Sequence, residues 1–343
     1  MAADGILIFQ EIGSFRKPDY LSSSFKKIKD QEEIRKLKER ATLETIRLFE
    51  NAGLDNIGVG GEMYRWEMYE HPATRISGIK FYGMVRSFDN RYYRKGSVIA
   101  PLSVKEHWHN DELEFVIKNT NKGIKVPLTG PYTMMDWSFN EYFSNRHSLA
   151  LEFAELLNSE IRSLLDIWKR YHPEEKLQIQ IDEPAATTHP DEMGIFTDAI
   201  NRAVEGLTSV EISMHVCYST DYRLLYDVSP ELKIDGFNLE FANRDSLSVE
   251  SSDNNRKAYA GLRYFADVDS EKFMGIGVTD VHSDIIESPE LIASRIRYSL
   301  GIIDDPRRLR INPDCGLRTR SRGVGYEKLL NTSRAISMVR EEL

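Results

Sequence analysis

Histidine, cysteine and acidic residues fall in this sequence at positions where they could hold a metal ion. His215 and Cys217 are two residues apart in the β-rich segment MHVC, a spacing that places both side chains on one face of a strand. Glu240 follows the next β-rich segment, and Cys315 follows the last one. An imidazole, two thiolates and a carboxylate form a ligand set that Zn²⁺ accepts in tetrahedral geometry. The sequence therefore predicts a zinc site at these four residues.

The wide separation of these ligands along the chain favours a catalytic over a structural site. Structural zinc sites favour closely spaced cysteine pairs such as C-x2-C, whereas these ligands come from three separate predicted strands. A free thiol has a pKa of about 8.5 and is mostly protonated at neutral pH, while coordination to a metal yields the thiolate. The predicted chemistry is activation of a thiol as a nucleophile.

Eight short apolar segments would position these side chains, since each ends in polar or glycine residues before a helical stretch begins. This alternation is typical of repeated βα units, and eight units are the number that a closed (β/α)8 barrel needs. Side chains at the C-terminal strand ends of such a barrel converge on one mouth, where polar residues are usually functional. The predicted strand ends are EIGS (11–14), GGEM (60–63), LTGP (128–131), IDEP (181–184), MHVC (214–217), NLEF (238–241), VTDVHS (278–283) and NPDCG (312–316).

Helical periodicity between these segments completes the predicted fold. Residues 34–48, 149–168 and 289–301 carry apolar side chains at three-to-four spacing and predict helices outside the barrel. The interval from about 72 to 125 is too long for one βα loop and predicts an inserted excursion between strands 2 and 3. We expect an α/β protein, a (β/α)8 TIM barrel with this excursion, forming a single domain over residues 1–343.

Composition and charge narrow the class of partner. With 41% apolar residues, the 343-residue chain can bury a core without a disulfide or a structural metal. A net charge of −9 argues against a nucleic-acid or anionic-membrane surface, which would need clustered Lys and Arg. No segment approaches the roughly 20 apolar residues of a membrane span, and the N-terminus lacks a signal-peptide pattern. We expect a cytoplasmic protein with a small-molecule ligand and neither nucleic-acid nor membrane partners.

The sequence resembles the C-terminal catalytic barrel of cobalamin-independent methionine synthases in eight segments: EIGSF, GGEM, LTGPYTMMDWSF, QIQIDEP, MHVCY, NLEFA, GIGVTDVHS and INPDCGLRTR. These segments run in the family's order and cover nearly the whole chain. The resemblance implies a zinc-dependent methyltransferase that converts L-homocysteine to L-methionine. It assigns the zinc ligands to His215, Cys217, Glu240 and Cys315, and the family's proton-donating histidine to His282.

The same resemblance implies a homocysteine subsite. It places the substrate on the turn formed by Ile12, Gly13 and Ser14 and on the carboxylates of Glu62 and Asp182. The two carboxylates suit the substrate ammonium group, and the Ser14 hydroxyl with nearby backbone N–H groups suits the substrate carboxylate. The expected substrate is therefore an amino acid that carries a thiol.

The methyl donor is left open between two classes. Trp137 matches an aromatic residue on which the pterin stacks, and Arg91 corresponds to a family arginine beside the folate, so both favour a methyl-tetrahydropterin. His282 favours the same donor, because an N5–CH3 bond needs protonation to break. Thr188, however, stands where folate-using members carry an acidic residue, and the second barrel of long members has no counterpart in this sequence. These two departures favour a methyl-corrinoid protein.

Two other functions fit part of the pattern. A zinc methyltransferase for another thiol, such as coenzyme M, would share the H-x-C and distant Cys ligands, but Ser14, Glu62 and Asp182 would then lack a purpose. A non-catalytic zinc protein that binds homocysteine or methionine would keep both subsites and show no turnover. A methyl-transfer assay separates these alternatives.

Overall fold

The strands of the protein form one large parallel sheet and one small sheet. The computed structural model describes residues 5–343 except 26, 29, 87–91 and 220. In chain order the strands are β1 (Ile76–Arg86), β2 (Tyr92–Val104), β3 (Lys125–Thr129), β4 (Phe139–Asn140), β5 (Leu177–Asp182), β6 (Val210–Val216), β7 (Gly236–Leu239), β8 (Phe273–Gly277) and β9 (Leu309–Asn312). Strands β3, β5, β6, β7, β8 and β9 are hydrogen-bonded in that order, and every pair is parallel. The prediction of an α/β protein with a parallel sheet is confirmed.

The strands of the large sheet are joined from within by buried amide side chains. The Gln10 amide donates to Asn238 Oδ1 at 2.6 Å and lies 3.4 Å from Asn312 Oδ1, and Asn238 donates to Gln180 Oε1 at 2.9 Å. All four residues are fully buried, and each buried amide needs such partners to offset the loss of water. The network fixes the positions of β5, β7, β9 and residue 10 relative to each other, beneath the C-terminal ends of the strands.

Helices follow most of the strands, as the βα pattern predicts. They are α1 (Asp19–Ser22), α2 (Gln31–Asn51), α3 (Glu70–Ala73), α4 (Asn110–Ile117), α5 (Pro131–Asp136), α6 (Arg146–Tyr171), α7 (Met193–Ala203), α8 (Arg223–Val228), α9 (Leu262–Val268), α10 (Pro289–Ile303) and α11 (Arg322–Arg340). Helix α10 begins at Pro289, the first residue of the predicted helix 289–301, and Ser288 caps it by accepting a hydrogen bond from the Leu291 N–H; the helix continues past residue 301. It ends where Asp304 adopts a left-handed conformation with φ of 53°. Within the described residues, no helix has the length and apolar character needed to cross a membrane.

The first two predicted strands form single bridges rather than ladders. Phe9 pairs with Ile311 of β9, Gln10 pairs with Asn56, and Asn56 pairs with Gly123, all in parallel. These bridges link the two edges of the six-stranded sheet in the order that a barrel requires, yet the described residues form no continuous closed ladder. The prediction of a closed TIM barrel is therefore not confirmed at the level of the sheet.

The small sheet lies in the interval where the excursion is expected. Strands β1 and β2 form a long antiparallel hairpin, and β4 pairs with β2 through Ser97 and Val98. The ring of Tyr93 on β2 packs against Tyr69 and Trp137, with centroid distances of 5.4 Å and 5.5 Å. The hairpin is thereby anchored beside the C-terminal end of β3. Arg91, the predicted donor-binding arginine, lies outside the described residues.

Candidate active site

A cavity of about 320 Å³ opens at the C-terminal ends of the parallel strands. Its walls include ten of the residues predicted from the sequence: Ile12, Gly13, Ser14, Glu62, Trp137, Asp182, His215, Cys217, His282 and Cys315. Residues that the sequence did not single out complete the walls, among them Arg65, Trp66, Tyr92, Tyr93 and Tyr218. Glu240 lies behind the wall and is fully buried.

Three of the predicted metal ligands form a compact group. One ligand atom each from His215, Cys217 and Cys315 lies within 4.8 Å of the other two, and both cysteines are free thiols. His215 Nδ1 lies 2.8 Å from the Asn238 carbonyl, and its Nε2 lies 3.3 Å from Cys315 Sγ. Donation from Nδ1–H to this carbonyl directs Nε2 towards the thiols, where it can donate to the Cys315 thiolate or lose its proton to bind a metal, as in metal-binding histidines.

The electrostatics of this group favour an anionic sulfur. The hydrogen bond between the two thiols lowers the pKa of Cys315 to about 5 and raises the pKa of Cys217 well above its ordinary range. Burial opposes the charged imidazole, but the Cys315 thiolate raises the pKa of His215 to about 9. A thiolate, a second thiol and an imidazole are donors that suit Zn²⁺.

Glu240 lies beside this group but outside it. Glu240 follows β7, and its Oε2 accepts hydrogen bonds from the Tyr218 N–H at 2.8 Å and the Asn243 amide at 3.2 Å. Its Oε1 is buried without a hydrogen-bond partner in the described part of the chain and lies 3.5 Å from His282 Nε2. A buried carboxylate oxygen beside soft ligands, with a long ion-pair contact to His282 and no hydrogen bond in the described residues, fits a metal ligand, because a buried charge needs close compensation. The assignment of Glu240 as the fourth ligand stays a prediction.

His282 reaches the cavity from the loop after β8. Its side chain is 31% exposed, and its ring packs 5.1 Å from the ring of Tyr218. Interaction with Glu240 raises the pKa of His282 to about 8, although partial burial opposes this. An imidazole in this position can exchange a proton with a ligand in the cavity.

Two carboxylates share another wall of the cavity with an arginine. Arg65 Nε donates to Glu62 Oε2 at 2.8 Å, and Arg65 Nη2 donates to Glu62 Oε1. The same Nη2 lies 3.6 Å from Asp182 Oδ2, while Asp182 Oδ1 accepts a hydrogen bond from the Gln180 amide at 2.8 Å. Burial raises the pKa of Asp182 to about 6, and the positive charge of Arg65 opposes that rise. The structure thus pairs the two predicted ammonium ligands through a residue that sequence analysis missed.

The predicted carboxylate-binding turn is packed closely against these groups. A Cβ atom at Gly13 would lie 2.6 Å from Glu62 Oε1, and one at Gly316 would lie 2.5 Å from Ser14 Oγ. Only glycine leaves room at these two positions. The Ile12 carbonyl accepts a hydrogen bond from Gln180 at 2.7 Å, which ties the turn to β5. Ser14 and Glu62 therefore line the same small space.

Aromatic side chains form the outer part of the cavity. We call Trp66, Tyr92, Tyr93, Trp137 and Tyr218 the aromatic mouth. Three of its members are substantially exposed: Trp66 (42%), Tyr92 (59%) and Tyr218 (38%). Thr188, which bears on the choice of donor in the sequence analysis, donates to the Ala185 carbonyl at 2.7 Å and is not among the residues that line this cavity.

Acidic residues next to predicted site residues hold neighbouring loops in place. Asp314, which precedes Cys315, accepts hydrogen bonds from the backbone N–H groups of residues 241–243 at 2.8, 2.9 and 2.7 Å. Glu183, which follows Asp182, accepts bonds from the Tyr132 and Thr133 N–H groups at the start of α5. Their position beside a predicted ligand was the only signal in the sequence for this role.

Comparison with known proteins identifies relatives over the full length of the chain. Residues 10–337 match the family described as "Cobalamin-independent synthase, Catalytic domain". The curated methionine synthase of Thermoplasma acidophilum is 59% identical over 341 residues, covering 98% of this chain and 99% of the relative. The methionine synthase of Thermoplasma volcanium is 58% identical over 329 residues, covering 95% of each protein. A B12-independent methionine synthase from Shewanella sp. W3-18-1, solved in complex with selenomethionine, matches with a TM-score of 0.83 and 25% identity over 98% of each chain.

Proposed function

This chain belongs to the cobalamin-independent methionine synthase family and is a methyltransferase, and we propose that it transfers a methyl group to L-homocysteine at a zinc site formed by His215, Cys217, Glu240 and Cys315. One observation carries the proposal: the His215, Cys217 and Cys315 group and the Glu62 and Asp182 pair open onto the same cavity. A thiol-activating group and an amino-acid subsite side by side fit homocysteine as the acceptor.

The acceptor is bound at both ends of its amino-acid part. Glu62 and Asp182 take the ammonium group, while the Ser14 hydroxyl and the backbone of Ile12 and Gly13 take the carboxylate. The chemistry that zinc supplies at such a site is stabilisation of the substrate thiolate at neutral pH. Glu240, with Oε1 free of any hydrogen bond in the described residues, is the ligand best able to adjust its contact. The complex of the Shewanella relative with selenomethionine supports a methionine-shaped product site.

The transfer itself forms a sulfur–methyl bond while the bond from the methyl carbon to the donor breaks. The homocysteine thiol gives up its proton to water in the open cavity, and a pterin donor takes one proton at N5 as it leaves, so the protons balance overall. We assign this second proton to His282, which is exposed to the cavity beside Glu240. A corrinoid donor needs no proton at the leaving group, so His282 would then be dispensable for the chemical step.

The donor enters by the aromatic mouth, and both donor classes remain candidates. The partly exposed ring of Trp137 packs against the buried ring of Tyr93, with centroids 5.5 Å apart, and offers a ring face to a flat heterocycle in the cavity. The exposed rings of Trp66, Tyr92 and Tyr218 instead offer an apolar rim that a protein-bound corrinoid could contact. Arg91 keeps its proposed role beside a pterin donor as an inference from the sequence alone.

The finer description of the fold is part of the same proposal. We propose a (β/α)8 barrel in which the segments at Phe9–Gln10 and Asn56 take the places of the first two strands. In this description, residues 1–343 form one catalytic domain with an excursion within 72–125. We also propose a cytoplasmic location, where the two free thiols would stay reduced.

Methyl transfer by purified protein tests the proposal. Homocysteine is offered with methylcobalamin and, separately, with a 5-methyl-tetrahydropterin, and methionine is measured; coenzyme M replaces homocysteine in a parallel series. We expect methionine from at least one donor and no methylated coenzyme M. We also expect His282→Ala to abolish pterin-dependent turnover while methionine binding is retained. Methionine binding without turnover from either donor in the wild type would favour the non-catalytic alternative.

Metal analysis tests the zinc assignment independently of activity. We expect about one zinc per chain in the wild type and almost none in Cys217→Ser or Cys315→Ser, because each substitution removes a thiolate ligand. His147→Gln, which changes a surface histidine, serves as the control and should keep its zinc. Zinc-free wild-type protein, or cysteine variants with full zinc content, would refute the assignment.

A further inference from the structure

Arg65 lies between the two carboxylates that the proposed function assigns to the substrate ammonium group. It is 7% exposed, and its guanidinium makes two hydrogen bonds to Glu62 and a 3.6 Å contact with Asp182. An arginine this deeply buried is normally found only where its charge is compensated. Arg65 is therefore part of the subsite, although it holds no role in the function proposed above.

Glu62 is held at both its backbone and its side chain. Its φ of 56° is the left-handed conformation, which residues with a side chain rarely adopt. The Lys17 ammonium donates to the Glu62 carbonyl at 2.8 Å, and Arg65 binds both carboxylate oxygens through its planar fork. The carboxylate is thus aimed before any ligand arrives.

Within the contact of these three side chains, two carboxylates face one guanidinium. The Lys17 ammonium at the Glu62 carbonyl and the His215 imidazole beside Asp182 are the other cationic groups that act on these carboxylates. Neither of them lies between the two carboxylates as Arg65 does, and an α-ammonium group is a cation that both carboxylates can accept together. Without Arg65, the two buried carboxylates would repel each other, and Glu62 would lose the fork that orients it.

We propose that Arg65 is a positioning residue that sets the amino-acid specificity of this site, by holding Glu62 and Asp182 so that they accept one ammonium group. This inference rests on the proposed function. It predicts selectivity for ligands that carry an α-amino group, expressed through Arg65 and independent of the methyl donor. Loss of Arg65 should affect the ammonium end of the ligand and leave the sulfur end unchanged.

Ligand binding to paired variants tests the role of Arg65. Calorimetry compares L-methionine with 4-(methylthio)butanoate, which has the same chain and carboxylate without the amino group. We expect Arg65→Met to weaken methionine binding at least about tenfold while binding of the des-amino ligand changes by less than about twofold. The methionine affinity of Arg65→Lys should lie between that of the wild type and that of Arg65→Met, since lysine keeps the positive charge but lacks the planar fork. Arg297→Met, at a surface pair with Glu342, is the matched control.

Kinetics and metal content complete the test. In Arg65→Met the KM for homocysteine should rise while kcat and zinc content stay near those of the wild type. An unchanged ratio of methionine to des-amino affinity, or an equal loss for both ligands, overturns the proposal; if Arg65→Met does not fold, the same criterion applies to Arg65→Lys. A wild type that neither binds methionine nor methylates homocysteine overturns the proposed function, and this inference with it. An active wild type with unaltered selectivity in the variants overturns this inference alone.

Discussion

Lys125 is a single buried cation whose charge is compensated by the groups that surround it. It is fully buried at the start of β3, and its ammonium donates to the Glu11 carbonyl at 2.8 Å. Burial lowers the pKa of Lys125 from 10.5 to about 8. The Glu11 carboxyl opposes this shift, and the positive charge of Arg310 adds to it. Asp182 and Glu211 also face it and favour the charged form. The protein therefore keeps this charge at neutral pH at a cost in stability.

We expect that cost to disappear at alkaline pH. Between pH 8 and 10.5 the unfolded chain holds a proton on Lys125 that the folded protein has released, so the free energy of unfolding rises with pH. The free energy of unfolding of the wild type should rise by roughly 2 kcal/mol between pH 7 and pH 9.5, relative to that of Lys125→Met over the same interval. Urea unfolding of both proteins at the two pH values measures this difference, from which titrating groups that do not interact with Lys125 cancel.

An exposed lysine on helix α6 supplies the control for this measurement. Lys169→Met should change the free energy of unfolding by the same small amount at both pH values, because Lys169 is exposed to solvent. A difference between the wild type and Lys125→Met that does not vary with pH would contradict the prediction.

Residue types at predicted strand ends, together with the family resemblance, predicted most of the residues that line the cavity, but not Arg65. The predicted ligands and subsite residues were placed at predicted strand ends, where the barrel pattern gives polar side chains a shared direction. Arg65 takes its place through the left-handed turn at Glu62, which brings a side chain three residues later back onto the same carboxylate. No apolar periodicity marks such a turn, so the sequence pattern could not predict this contact.

At the scale of the secondary-structure elements, buried carboxylates fix the loops that follow different strands to each other. Asp314, after β9, binds three successive N–H groups after β7, and thereby joins the loop of Cys315 to the loop of Glu240. Gly277 at the end of β8 leaves room for it, because a Cβ atom there would lie 2.1 Å from Asp314 Oδ1. Two predicted metal ligands from different strands are thus held at a fixed separation by one side chain.

Replacing this carboxylate by an amide should loosen both loops. In Asp314→Asn, one side-chain oxygen remains to accept hydrogen bonds while the new NH2 group faces backbone donors, so at least one buried N–H loses its partner. We expect the free energy of unfolding to fall by about 2 kcal/mol and zinc affinity to fall as well. Urea unfolding and competition with a chromogenic chelator measure the two effects. Asp198→Asn, at an exposed position, should change neither, and an Asp314→Asn protein equal to the wild type in both would contradict this account.

For the whole molecule, the sequence pattern predicted the six-stranded part of the sheet and failed at its beginning. Six strands end at or beside the predicted strand ends: β3, β5, β6, β7, β8 and β9. The prediction succeeds there because the sequences of buried parallel strands are short apolar runs. Residues 58, 60, 61 and 62 all have positive φ, which is incompatible with an extended strand. The segment GGEM therefore forms a turn that carries Glu62 into the cavity, where the pattern predicted a strand end. The left-handed backbone that aims Glu62 is also what prevents a ladder there.

The parallel ladder also determines what metal removal should do to the molecule. The predicted ligands lie on or just after β6, β7 and β9. These strands are already connected through β6–β7, β7–β8 and β8–β9 pairing, so zinc would join segments that are held together without it. We expect protein treated with a chelator to keep its near-UV circular dichroism at 25 °C and to melt only a few degrees lower, by the amount that loss of a bound ligand removes. Re-addition of zinc should restore the melting temperature and the activity together. Loss of the near-UV signal on chelation would mean that the metal supports the fold, as in zinc fingers, and would refute a purely catalytic role for the site.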